Sequence, residues 1–195
     1  MAISYPLSAP TSIGIENIEL RAMNSVAISQ SPFTYKQQVV SHGGQKWEAS
    51  VTIPSVRRDK AAQWKSFLVS LKGQTGTFLL GDPDYATPKG TVSSCSLSGD
   101  VGDETVLVSM TGTLLAGDYI QLGSGSSAKL HMVLADQSGT GNLEIWPALR
   151  SDYNLETVVF NSPKGVFRLS TNLTSWSINN ASSYGISFEA VEVVV

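Results

Sequence analysis

Only one segment of this 195-residue chain carries a helical period. Between Arg57 and Lys72 the apolar residues Ala61, Trp64, Phe67, Leu68 and Leu71 recur at steps of three and four, which puts them on one stripe of a helix. Asp59 near its start and Lys72 near its end suit the helix dipole, and Gly73 is the expected stop. Elsewhere the apolar residues come in short runs, the clearest with a period of two. Trp47, Ala49, Val51 and Ile53 alternate with Glu48, Ser50 and Thr52, the pattern of a half-buried strand, and Pro54 is expected to end it. A chain patterned this way is mainly β, with the helix laid on a sheet.

The other segments divide the chain. Residues 18–29 read as one or two strands. The turn His42-Gly43-Gly44-Gln45 is expected to join residues 35–40, as hairpin partner, to the Trp47 strand. Residues 77–80 form a strand and Gly81-Asp82-Pro83-Asp84 a turn. Past Gly90 the chain turns rich in Ser, Gly and Thr, with strands expected at 105–110, 119–122, 129–134 and 143–146. A polar connector follows Arg150, then strands at 158–160, 166–169, 175–178 and 186–195. The expected organisation is a discontinuous β core, residues 1–90 and 151–195 with the helix at about 57–72, interrupted by a small all-β insertion module at 91–150. The last strand is apolar on both faces near its end and must be paired.

Charge excludes several functions. Charged residues make up 15% of the chain, where globular chains carry about 25%. Four Trp, six Tyr and six Phe can build a core, so disorder is excluded, and a net charge of −3 argues against a general nucleic-acid binder. A neutral polar surface suits self-association, because little charge is desolvated at an interface core. The N-terminus has no basic stretch followed by an apolar run, and no segment approaches the length of a membrane helix. The one cysteine, Cys95, leaves no intrachain disulfide and no paired-Cys metal site, and synthesis is expected in a cytoplasm. Without a signal peptide, the sequons Asn172-Leu173-Thr174 and Asn180-Ala181-Ser182 are read as chance.

No motif carries chemistry. No G-x-S-x-G elbow stands between a strand and a helix, and Gly123-Ser124-Gly125-Ser126-Ser127 leads into another strand. The two histidines, His42 in a turn and His131 in a strand, read as structural or solvent-facing. The carboxylates Asp82 and Asp84, and Asp100, Asp103 and Glu104, lack the ligand order of a calcium loop and read as solvated turns. Arg57, Arg58 and Lys60 are too few charges for a nucleic-acid site and fit a helix start or a subunit contact. Trp47 and Trp64 belong to the core. Trp146 and Trp176 are placed in core or interface, with sugar-stacking platforms as the rival assignment.

The order of segments resembles a known family. Ser31-Pro32-Phe33-Thr34 with Gln37-Gln38-Val39, the Trp47-Glu48-Ala49 strand, and the helix with Ala62-Gln63-Trp64, Phe67-Leu68 and Leu71-Lys72-Gly73 resemble the distal tail proteins of long-tailed bacteriophages, which are baseplate components. Gly76-Thr77-Phe78-Leu79-Leu80-Gly81-Asp82-Pro83 looks like the strand and turn that follow. Residues 115–123, 129–133 and 143–150 look like the family's inserted module, and Phe188-Glu189-Ala190 like the return to the core sheet. The likeness covers nearly the whole chain. It implies a β-sandwich or split-barrel core with one packed α-helix. It also implies a structural virion protein of the tail tip, not an enzyme, with no cofactor and no metal. Six copies would form a ring joining the tail tube protein to the baseplate hub, passing DNA without binding it specifically and touching no membrane. Six copies, each at −3, give −18, and an acidic lumen would not hold DNA. The insert is shorter than in the best-known members, which argues against direct fibre attachment. Subunit-interface candidates are Arg57 and Arg58 at the helix start and the turn Gly81, Asp82 and Pro83. The alternatives are a carbohydrate-binding adhesion module using Trp146 or Trp176, and a tail-tip hydrolase using His42 or His131.

Overall fold

The computed structural model describes residues 3–11, 13–180 and 182–194. Met1, Ala181 of the second sequon and Val195 of the last expected strand lie outside the described residues. Along the chain run β1 (Leu7–Ser8), β2 (Asn17–Gln30), β3 (Gln37–Arg57), the helix α1 (Arg58–Ser70) and β4 (Phe78–Leu80). Then come β5 (Ser94–Gly99), β6 (Thr105–Thr111), β7 (Thr113–Leu114), β8 (Tyr119–Leu122), β9 (Lys129–Val133), β10 (Gln137–Ser138), β11 (Gly141–Trp146) and β12 (Tyr153–Thr157). The chain closes with β13 (Gly165–Leu169), β14 (Trp176–Ile178) and β15 (Ser183–Glu192). The fold is mainly β with one helix, and its sheets curl into half-barrels, as expected of a sandwich or split-barrel with one helix.

The first sheet has the order β1-β4-β13-β15-β3-β2, with β14 also on β15. The alternation of Trp47, Ala49, Val51 and Ile53 puts all four side chains on its buried face. The helix lays Ala61, Trp64, Phe67 and Leu68 on that face. Trp64 and Phe67 meet edge to face at 5.6 Å, as do Phe67 and Phe78. The helix is shorter than its period predicts. It ends at Ser70, with no basic residue in its last turn, because Lys72 itself takes left-handed backbone (φ 52°) ahead of Gly73. A side chain at Gly73 would stand 2.7 Å from Asn172 Oδ1, so a glycine is required there for closeness as well as for its positive φ.

Two expectations about β3 are corrected. Pro54 does not end the strand. The β3–β15 ladder shifts register between Tyr184 and Ile186, and that bulge leaves Pro54 without a ladder partner, so its missing N–H costs nothing. Nor is His42-Gly43-Gly44-Gln45 the hairpin turn. The chain reverses at residues 31–36, where Ser31 N–H donates to the Lys36 carbonyl (3.0 Å) and Tyr35 N–H to the Ser31 carbonyl (2.9 Å). Ser31-Pro32 opens this turn with a residue pair that favours one. The glycines are absorbed as a bulge: Asn24 pairs with Gln45 and Val26 with Ser41, so Ser25 alone opposes His42, Gly43 and Gly44.

The second sheet has the order β12-β5-β6-β11-β9-β8, beside the small pair β7–β10. It encloses its own apolar cluster, including Leu97, Val106, Val108, Ile120, Leu143 and Ile145. Residues expected to connect back to the core instead form β12, paired with β5, and Val158 is buried in this second cluster. A register shift between Tyr153 and Glu156, with Leu155 at φ 53°, removes the alternation that would mark a strand. Leu130 of β9 packs into the first cluster, so the two bodies share apolar contacts. The last strand, β15, is flanked by β3 on one side and by β13 and β14 on the other.

Candidate assembly interface

The outer halves of β2 and β3 leave the body of the protein. Residues 25–30 and 32–44 are all exposed, and they form a two-stranded arm about 20 Å long at roughly 3.3 Å per residue. Between Ala22 and Gly44 the one charged residue is Lys36, counting histidine as neutral. Cross-strand pairing sorts the apolar side chains by face. Ile28 lies opposite Val39, with Val26 two residues away on the same face, and Ala27 lies opposite Val40 on the other. Phe33 and Tyr35 occupy the tip, where Phe33 is 91% exposed. The arm therefore carries exposed apolar side chains on both faces among polar ones. Its outer strand, β2, is also the sheet edge, and its outward N–H and C=O groups have no partner strand among the described residues.

The sequence-chosen interface residues are not brought together. Arg57 ends β3 opposite Ser183, the first residue of β15, and Arg58 opens α1; both are exposed. Gly81 to Pro83 follow β4, whose Leu80 pairs with Gly165 beyond the other end of β15. The two candidates therefore lie at opposite ends of the sheet. At Gly81 an added side chain would clash with the Pro163 carbonyl oxygen, and Asp82 Oδ1 accepts the Asp84 N–H at 3.0 Å. That turn has a local structural role of its own.

The remaining candidates resolve as follows. His42 is exposed in the arm's bulge, whereas His131 is buried in the second body, its Nδ1 2.7 Å from the Pro147 carbonyl oxygen. No serine hydroxyl bonds either ring among the described residues. Burial holds the His131 imidazole down to about 4, so it is neutral. Asp103 Oδ2 accepts the Asp100 N–H (2.9 Å) within a turn, and Glu104 Oε1 accepts Gln45 Nε2–H (2.6 Å). Among the described residues no group of three or more His, Cys, Asp or Glu is placed to hold a metal ion. Trp146 is half-buried, at right angles to Trp47 with ring centres 4.5 Å apart, and its Nε1–H donates to Asn24 Oδ1 (2.9 Å). Trp176 is 39% exposed, with Lys65 Nζ 5.6 Å from its ring centre. The thiol of Cys95 is buried and pushed up to about 11 by desolvation.

A buried polar cluster where the two bodies meet carries no sequence signal. Glu192 Oε2 accepts the Trp47 N–H (3.0 Å) and faces Arg150 Nη2 at 3.6 Å. Lys129 Nζ–H donates to the Val193 carbonyl (2.7 Å). Burial raises the Glu192 carboxyl from its ordinary value, against the Trp47 N–H and the Arg150 and Lys129 charges, and lowers the Lys129 amine, against the Glu192 charge. Asp118 is buried as well. It accepts the N–H groups of Lys89, Gly90 and Leu115, tying down the chain's entry into the second body. Its place in the turn Ala116-Gly117-Asp118 was the available clue.

No protein-family profile matches the sequence, and no curated protein matches it significantly. No helix among the described residues is long and apolar enough to cross a membrane.

Proposed function

We propose that this protein is a structural component of the tail tip of a long-tailed bacteriophage, as the distal tail proteins it resembles are. In this reading several copies, six by the resemblance, close into a ring that joins the tail tube to the baseplate hub and leaves a passage for DNA. The observation that carries it is the arm. An isolated two-stranded ribbon is marginal in water, and one that exposes Val26, Ile28, Val39 and Val40 with a bare strand edge is a template for pairing. An arm that docks on a different surface of the next copy makes a head-to-tail contact, which closes into a ring when the rotation allows. The low charge of the arm supports the same reading, since little must be desolvated when it is covered. The adhesion alternative, through Trp146 or Trp176, has less support, because Trp146 is half-buried against Trp47 and bonded to Asn24, and Lys65 lies over the Trp176 ring.

Native mass spectrometry and analytical ultracentrifugation test the reading. Six copies of 20.8 kDa give a species of about 125 kDa, expected at high protein concentration or on addition of a tail tube protein. A monomer under both conditions, with the arm fully solvated, sinks it.

A further inference from the structure

The arm leaves the body at one residue pair, Asn24 opposite Gln45, the last regular rung before the bulge. Both residues of that rung are held by the inserted body. Trp146 Nε1–H donates to Asn24 Oδ1 at 2.9 Å. Gln45 Oε1 accepts the Ala148 N–H at 2.7 Å, and its Nε2–H donates to Glu104 Oε1 at 2.6 Å. The Gln45 backbone carbonyl accepts from Arg150 Nη2, and Arg150 faces the buried Glu192 carboxylate. These partners lie 59 to 122 residues away in sequence, and all come from β11, the turn after it and the residue just before β6. Beyond the rung, among the described residues, the hydrogen bonds made by residues 25–44 stay within the arm.

We infer that the inserted module is the mount of the arm, with Asn24 and Gln45 as positioning residues that fix the direction in which the arm projects. The physics is that of a lever held at its base. The ladder is interrupted at Ser25 and His42–Gly44, with Gly43 in left-handed backbone, so the two strands alone leave a flexible joint there. A side-chain amide bonded at both ends, backed by a fixed guanidinium, removes that freedom. Pre-setting an arm in its docking direction lowers the ordering cost of association. The consequence for assembly rests on the ring reading, but the mount itself does not.

The test uses the full chain as dilute monomer. Nitroxide labels are placed at Thr34→Cys in the arm's tip and Thr140→Cys in the module, with the buried Cys95 left in place. Pulsed electron–electron resonance then reads the distance between them. A single narrow distribution is expected, with Gln45→Ala at least doubling its width while the melting temperature stays within a few degrees. If Gln45→Ala does not fold, Trp146→Phe keeps the ring against Trp47 and removes only the bond to Asn24; it too is expected to broaden the distribution. An unchanged width in a folded variant overturns the mount. Sedimentation of the same variants separates the two readings. A width that responds in a chain that never assembles sinks the ring and leaves the mount standing.

Discussion

The long hairpin of β2 and β3 is one ladder with two fates. In its inner half, residues 47–53 alternate buried and half-buried, and Trp47, Val51 and Ile53 are among the most enclosed side chains in the molecule. In its outer half no residue is buried, and Val26, Ile28, Val39 and Val40 stand in solvent. Backbone pairing is continuous across both apart from one bulge. The difference lies in what covers the strands. The inner half has α1 on its face and β15 on its edge, and among the described residues nothing covers the outer half. Pairing alone therefore says little about stability. The inner half is where the fold is decided, and the outer half is available for something else.

The largest effect should come from breaking the inner half. Trp47 is buried, its Nε1–H donates to the Leu130 carbonyl (2.9 Å), and Trp146 stacks edge-on against it. Trp47→Ala removes a large core side chain and leaves that carbonyl unpaired, so a loss of about 3–5 kcal/mol in denaturant unfolding is expected. A loss below about 1 kcal/mol would mean that the inner half is no better anchored than the arm.

Acid should separate the body from the arm next. His131 is neutral and held down to about 4 by burial, against an ordinary value near 6.5. Above pH 6.5 neither folded nor unfolded chain protonates it. As pH falls from 6.5 to 4 the unfolded chain takes up the proton and the folded one does not, so stability is lost, by about 3 kcal/mol in all. Glu192, with its carboxyl raised by burial, has the opposite sign: its contribution is present at low pH and is lost as pH rises through its folded value. His131→Asn can still donate to the Pro147 carbonyl and has no proton to gain. Its stability measured from pH 6.5 to 4 should decline less steeply than that of the wild type; equal slopes would remove His131 from the account.

Legibility in the sequence followed the same division. Where one face is buried, alternation is enforced, and the residues from Trp47 to Ile53 and the α1 stripe could be read directly. The arm has no buried face, so nothing selects alternation. Val39 and Val40 are adjacent, and Gly43-Gly44 imitates a hairpin turn while serving as a bulge. β12 was missed for a related reason, since its bulge at Leu155 breaks the period. Asn24, Gln45, Lys129 and Glu192 were missed because their partners lie far away in the chain, and neutral amides on a strand look the same whether they face water or a neighbour. The candidates Arg57, Arg58 and Gly81 to Pro83 rest on charge and turn chemistry, which mark element ends, and the fold sets the two groups at opposite ends of the first sheet.

The boundary between the halves can be tested at Gly43. Its φ of +69° is left-handed and nothing stands within 4 Å of an added side chain. Gly43→Ala therefore meets backbone strain without a clash and should cost about 1 kcal/mol. An effect near zero in unfolding would show that the bulge relaxes freely and that the arm has no fixed joint.

The smallest effect on folding should accompany the largest on association. Ile28→Ser with Val39→Ser changes one cross-strand pair in the arm, both members exposed and Ile28 at 64%. Exposed sites away from caps, cores and strained backbone usually shift stability by no more than about 0.5 kcal/mol. The monomer should therefore unfold almost as the wild type does. In an assembly that covers the arm, each copy loses two buried aliphatic side chains, worth about 1.5–3 kcal/mol apiece. A loss of 3 kcal/mol per contact weakens association by more than a hundredfold. Sedimentation at matched concentrations reads both quantities on one sample. Unchanged association with unchanged stability would leave the arm's apolar faces without a purpose, and would make the inner half the only part of the hairpin whose side chains matter.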